Sequence, residues 1–261
     1  MTPPTVLLSE DHGAVRLLIM NRPEARNALS TELFEALHAA LHAADADESV
    51  HAVVLTGTDP AFCAGVDLKQ AQQLGREYFR RFARHDCMAA IAALRTPIIG
   101  AVNGATFTGG LEIALACDFL IASQRAIFAD THARVGILPG GGMTARLPQV
   151  VGAAMARRLS MTGEVLNAER AERIGLITEV VAHEQLLPRA LELAGQIAEV
   201  PAATMASLKQ MYHRGSATVT GPALAAEREI SAAAGMNTDD LAARQREVAA
   251  RNKNQITPLT P

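Results

Sequence analysis

Four short runs rich in β-branched and aliphatic residues recur along the chain: VRLLIMN at 15–21, VHAVVLTG at 50–57, TPIIGAVNG at 96–104 and DFLIAS at 118–123. Each gives way to a helical pattern, the first three through Gly or Asn. A chain that returns to a helix after every strand is confined to the α/β class. Between the first two runs, Ser30 is placed to cap a helix on which Leu33, Phe34, Leu37 and Leu41 share one stripe, with Glu32 in the first turn and Glu35, His38 and His42 facing outward. From about His183 the strands stop. Helices are read at 183–200, 201–215, 222–235 and 238–253, separated by Pro, Gly or capping residues. The chain therefore divides into a core at 1–197 and a C-terminal helical region at 198–261. Alanine-rich helices of this kind have little core of their own and are expected to pack on the α/β part or on another subunit.

A chain of 261 residues buries a sizeable core without staples. Cys63, Cys87 and Cys117 are odd in number, far apart and in no CxxC spacing, which argues against a disulfide framework or zinc site and for a reducing compartment, by default the cytoplasm. The opening MTPPTVLLSEDHG lacks the basic start and apolar run of a signal peptide, and no apolar stretch reaches the roughly 18 residues that cross a bilayer. A soluble protein with no membrane partner is expected. The net charge of -3, scattered basic residues and an aromatic content of 3% give no footprint for nucleic acid. Any anionic ligand must be held locally.

Several familiar sites are excluded. GATFTGGL has the outline of a phosphate loop, but Leu111 stands where the lysine is required, and there is no GxGxxG after the first strand, no GxSxG and no HExxH. No metal site is expected. What remains is VNGATFTGGLEIALACD, Val102 to Asp118, a strand leading through a glycine loop into a helix whose first amides lack intrahelical partners. Glu112, three residues after Gly109, lies on the same side of the first turn as that amide. Either the carboxylate is a base beside a donor for developing charge, or it complements the helix dipole and the glycines only permit tight packing. A second loop, GTDPAFCAGVDLKQ at 57–70, also ends a strand and enters a helix, so the Val66 amide supplies another donor. Two such loops converging point to an oxyanion hole for a thioester or ester.

Taken together, NRPEARNALS, FCAGVDL, AVNGATFTGGLEIALACD and VGILPGGGMTARLPQVVG, in that order, resemble the enoyl-CoA hydratase/isomerase (crotonase) superfamily. The likeness covers nearly the whole chain, including TGEVLNAERAERIGLITEVV and the helical tail. It implies a crotonase-like spiral of ββα units, a C-terminal trimerisation region, a homotrimer or dimer of trimers, and an acyl-CoA substrate. Coenzyme A belongs to that substrate, so no separate cofactor is expected. Matched residue by residue, the amides of Val66 and Gly109 would hold the thioester oxygen, and Ala64, Asp67 and Leu68 lie in the loop that embraces coenzyme A. Ala28, Gly110 and Pro139 fall at further coenzyme-A-binding positions, while Arg26 and Lys69 are either phosphate contacts or solvated surface cations.

In the hydratases that this chain resembles, two glutamates flank the reacting carbons. Glu112 matches the first, and His132 stands in place of the second. Loss of a positioned acid or base commonly costs about 10² to 10⁴ in rate. Imidazole, with an ordinary pKa of about 6.5, can donate or accept near neutrality. His132 thus either moves a proton or walls the pocket. An extended segment points Asp130 and His132 the same way; a helical turn, favoured by THARVG, pairs Asp130 with Arg134 at i,i+4. Cys63 and Cys117 read as small buried fillers, and His85, His183 and His213 as surface residues of helices without a role.

The reaction implied is hydration of a 2-enoyl-CoA. The alternatives are another acyl-CoA reaction on the same enolate, namely isomerisation, decarboxylation or C–C cleavage, and an acyl-CoA binding protein with its chemistry impaired. Retention of Glu112 speaks against the last.

Overall fold

The structure, a computed structural model, describes residues 5–234 and 241–256. The first four residues, Gly235 and positions 238–240 of the predicted tail helices, and 257–261 lie outside the described residues.

Strands β1 (Leu7–His12) and β2 (Val15–Met20) form a hairpin, and helix α1 (Thr31–Ala46) leads to β3 (Ala52–Gly57). A three-part unit then repeats. β3 is followed by the short β4 (Ala61–Cys63) and by α2 (Leu68–Leu74), α3 (Arg76–Arg84) and α4 (Cys87–Ala93). β5 (Ile98–Val102) is followed by β6 (Ala105–Phe107) and α5 (Gly109–Ala116); β7 (Phe119–Ser123) by β8 (Ile127–Ala129) and α6 (His132–Val135). Helices α7 (Met143–Val151) and α8 (Ala153–Thr162), strand β9 (Leu166–Asn167), α9 (Ala168–Arg173) and β10 (Glu179–Val181) complete the core. Helix α10 (Leu186–Ala198) follows, and the tail is α11 (Ala202–Ala234) and α12 (Leu241–Ile256).

One sheet runs β1-β2-β3-β5-β7-β10, parallel outside the hairpin; a second runs β4-β6-β8-β9, parallel except for β8 with β9. Each unit thus lays its long strand in the first sheet and its short strand in the second, and the next unit stacks one step along. This is the expected spiral of ββα turns.

The long strands are legible in the sequence because they are buried on both faces. Val53, Leu55, Ile98 and Val102 point into the main core with Leu33, Phe34, Leu37 and Leu41 of α1. Ala52, Val54, Ile99 and Ala101 point the other way, against Leu186, Ala190 and Ala194 of α10. Ser30 caps α1 as expected, its hydroxyl accepting from the Leu33 amide at 3.2 Å. Glu35 and His38 are half-buried and His42 is exposed. The three-residue strands β4, β6 and β8 are too short to display an alternation. β1, LLSEDH, is a polar edge strand and gives no apolar signal.

The tail departs from the sequence reading. The helices read at 201–215 and 222–235 are one continuous α11, with Pro222 in its interior. Proline removes a single amide, the one that would reach Thr218, and the helix is held on both sides of that gap. Gln149 Nε2 donates to Thr220 Oγ1 at 2.8 Å and Lys209 Nζ to Asp118 Oδ2 at 2.7 Å, while Glu227 is buried against α7. Helix α12 lies over α6, with Val248 packed among Val135, Leu68 and Ile137. Among the described residues, no helix is long and apolar enough to cross a membrane.

Because β4, β6 and β8 are parallel neighbours, the loops leaving their C-terminal ends lie side by side. They are Ala64–Asp67, Thr108 leading into the first turn of α5 with Glu112, and Asp130–Thr131 leading into α6 at His132.

Candidate active site

The first two loops present amides. Leu29 forms a parallel bridge with Val66, donating to the Gly65 carbonyl at 2.8 Å and accepting from the Asp67 amide at 3.3 Å. In such a bridge alternate peptide groups point opposite ways, so the Val66 N–H faces away from Leu29. Gly109 opens α5, where an amide has no intrahelical acceptor. Neither amide has a hydrogen-bond partner among the described residues. They are neighbours: a methyl placed on Gly109 would sit 3.8 Å from the Val66 nitrogen, and one on Gly65 would sit 3.3 Å from the Gly109 nitrogen. Gly65 makes this approach possible. Its φ is +92°, and a Cβ there would lie 2.0 Å from the Thr108 hydroxyl oxygen. Thr108, immediately before α5, itself has a positive φ of 48°, a strained value for a β-branched residue.

Glu112, in the first turn of the helix that Gly109 opens, meets His132, and both side chains are buried. Glu112 Oε1 accepts from the Gly141 amide at 2.8 Å and the Met143 amide at 3.2 Å, and Oε2 lies 3.7 Å from His132 Nε2. His132 Nδ1 is 2.7 Å from Asp130 Oδ1, which also accepts the His132 amide at 3.2 Å. The expected pairing of Asp130 with Arg134 is therefore corrected. The segment does form a helical turn, but the turn begins at His132, leaving Asp130 outside it and bent back onto the imidazole. Arg134 Nε donates instead to the Thr162 carbonyl at 2.9 Å.

The three groups set one another's protonation. Burial raises Glu112 above the ordinary carboxylate range; His132 opposes that rise and the charge of Glu227 adds to it. Burial alone would lower His132, but the hydrogen bond to Asp130 and the charge of Glu112 hold it above its usual value. Burial would raise Asp130, and the hydrogen bond and charge of His132 hold it below. An imidazolium between two carboxylates, with Nε2 turned toward Glu112, is the form this arrangement favours.

The remaining candidate residues surround this centre. Arg26, left-handed at φ 51°, is exposed, and its carbonyl accepts from the Ala64 amide at 3.0 Å. Lys69 is also exposed, and neither cation has an ion-pair partner among the described residues. Ala28 is buried beside Leu29. Asp67 caps α2 through the Gln70 amide at 3.1 Å and pairs with Arg22 at 3.0 Å, so its carboxylate is already engaged. Leu68 packs against α6 and α12. Pro139 is half-buried in the turn before α7. Gly110 has a packing reason for being glycine, because a Cβ there would lie 2.1 Å from the Cys63 carbonyl oxygen. Burial pushes the Cys63 and Cys117 thiols up to about 12, leaving them uncharged fillers.

Three features escaped the sequence reading. Asn27, fully buried, donates to the carbonyls of Thr58 and Ala61 at 2.8 and 2.6 Å and thereby fixes the loop that precedes β4. Glu227 lies in a helix that reads as surface, with no local signal of burial. His183 is not an unpartnered surface residue: it lies 2.9 Å from both Ser123 Oγ and Asp59 Oδ2. That set has the residue types of a hydrolytic triad. However, Ser123 is fully buried and its hydroxyl accepts the Arg125 amide at 3.0 Å, so it works as a latch between β7 and the β3–β4 loop. His213 is exposed and His85 half-buried.

Residues 10–247 match the family described as enoyl-CoA hydratase/isomerase. The crystal structure of an enoyl-CoA hydratase from Mycobacterium smegmatis is 47% identical, with a TM-score of 0.78 over 88% of this chain and 97% of that one. A crotonyl-CoA hydratase of Syntrophomonas wolfei is 39% identical over 73% of this chain and 75% of its own length. A monofunctional enoyl-CoA isomerase from Mycobacterium smegmatis is 29% identical, with a TM-score of 0.71 over 82% of this chain and 94% of that one. Hydratases and an isomerase alike share this fold with the chain. It is an enzyme of the crotonase fold and belongs to the enoyl-CoA hydratase/isomerase family.

Proposed function

We propose that the protein adds water reversibly across the α,β double bond of a 2-enoyl-CoA thioester. The observation that carries this reading is the 3.7 Å separation of Glu112 Oε2 from His132 Nε2, together with two adjacent amides that have no partner among the described residues. A water to one side of the pair, not between the two atoms, can lie at an ordinary hydrogen-bond distance of about 2.8 Å from both. The thioester oxygen would accept from the Val66 and Gly109 amides, donors of a kind that each contribute about 10² to 10³ in rate when aimed at developing charge. Glu112 takes a proton from the water as its oxygen bonds to the β carbon, and the π electrons of the double bond move onto the thioester as an enolate. The His132 imidazolium then protonates the α carbon and the enolate collapses. Glu112 is left protonated and His132 neutral; return of the proton from one to the other restores the pair. Only water is consumed.

In this reading coenzyme A enters with the substrate through the Ala64–Lys69 loop, and the exposed Arg26 and Lys69 face its phosphates. The protein works as a homotrimer or a dimer of trimers, for which the exposed Leu208, Met211, Tyr212, Val219 and Ile230 of α11 supply apolar surface. Three unpaired, buried cysteines suit a reducing compartment such as the cytoplasm.

Incubation with crotonyl-CoA, followed by mass spectrometry, tests the reaction. A product heavier by one water is expected, with turnover abolished in Glu112→Gln at nearly unchanged thioester affinity and at least about tenfold slower in His132→Ala. Unchanged mass with a shifted double bond, loss of carbon dioxide or an inert mixture would overturn the hydratase reading.

A further inference from the structure

Helix α7 opens with four amides, and two buried carboxylates divide them. Gly141 and Met143 donate to Glu112 at 2.8 and 3.2 Å. Gly142 and Thr144 donate to Glu227 at 2.6 Å each, and the Thr144 hydroxyl adds a third bond at 2.6 Å. Successive peptide groups thus face opposite sides of one turn, toward α5 on one side and toward α11 on the other. Glu227 is the single buried residue of α11 among the described ones. The tail has other fastenings, from Lys209 to Asp118, from Arg228 to Asp86 and between Gln149 and Thr220. A buried charge is not required merely to attach the helix.

We propose that Glu227 is a positioning residue: by holding the Gly142 and Thr144 amides, it aims the Gly141 and Met143 amides at Glu112 and so sets the base of the reaction. The inference rests on the reading of Glu112 as that base. The turn has little room to adjust on its own. Gly142 is left-handed at φ +108°, and a Cβ on Gly141 would lie 2.8 Å from Glu112 Oε2. If the Glu227 side of the turn is released, the peptide planes rotate and the two donors to Glu112 leave their line. Glu227 also acts through space. The charged groups facing Glu112 are His132 from α6, with Asp130 behind it, Arg146 from α7 and Glu227 from α11. Of those in direct range, Glu227 alone is a like charge that keeps Glu112 a stronger base.

The test is the full-length Glu227→Gln enzyme with crotonyl-CoA, its fold checked by thermal melting. The expected result is kcat lower by at least about tenfold, KM within about twofold of the parent, and the acidic limb of the kcat profile displaced to lower pH, because the lost like charge acts on Glu112 more strongly than either the Gly141 or the Met143 bond, whose loosening acts the other way. An unchanged kcat, a rise in KM alone, or a uniform loss with the limb in place would make Glu227 a tail fastening and overturn the proposal. If that variant does not fold, Thr144→Val removes one of the three donors to Glu227. A kcat about threefold lower at constant KM is expected of it, and a parental kcat overturns the proposal. Glu112→Gln runs beside both. Turnover in that control would remove the base itself, whereas an inert control with an unaffected Glu227→Gln would remove only the positioning role.

Discussion

Asp130 shows how a single residue sets the working form of another. Its carboxylate takes Nδ1 of His132, and this turns Nε2 toward Glu112. Asp130→Asn keeps the shape and removes the charge. The imidazolium is the proton donor, so its loss defines the alkaline limb of the rate profile; with Asp130 neutralised, His132 titrates lower and that limb moves to lower pH. A kcat reduced by about tenfold is expected with it, measured as crotonyl-CoA turnover across pH. A limb that stays in place would show that Asp130 does not tune the ring. The stability signs run in opposite directions. The raised His132 stabilises the fold below its unfolded pKa, and that contribution disappears as pH rises through its folded value. The depressed Asp130 stabilises above its unfolded pKa, and its contribution disappears as pH falls through its folded value. In the sequence, both partners were visible and their pairing stood as the less favoured of two alternatives, because it depends on whether the helical turn begins at Asp130 or at His132.

At the level of elements, what was legible followed from length and burial. The long strands bury both faces and so spell out their own composition, whereas β4, β6 and β8 have three residues each and acquire their pairing only from neighbours in a second sheet. Helix α11 is the converse case. Gly215, Gly221 and Pro222 signal a break, yet contacts on either side hold the helix through it. Pro222→Ala restores the missing amide at an exposed position. Allowing for the greater freedom it gives the unfolded chain, this change should stabilise by about 1–2 kcal/mol, read from the urea midpoint. A lower midpoint would mean that the proline serves a kink which the enzyme uses.

For the molecule as a whole, α11 is conspicuous for what it leaves uncovered. Met211 and Tyr212 are 69% and 75% exposed, and Leu208, Val219 and Ile230 extend that apolar row along the helix. A monomer seldom leaves so long a row in water. If the proposed trimer covers that row, sedimentation at micromolar concentration should give the mass of three or six chains, and a single-chain mass throughout would refute the trimeric reading. The sequence alone determined the alternation of strand and helix, the cap at Ser30, and the presence of Glu112 and His132 near two glycine loops, because each depends on residues close in the chain. Tertiary structure decided which atoms meet: the Val66 and Gly109 amides, the 3.7 Å gap between Glu112 and His132, and the arrival of Glu227 from the tail. These are encounters between segments joined only through the stacking of parallel strands, and no local pattern encodes a distance across a sheet.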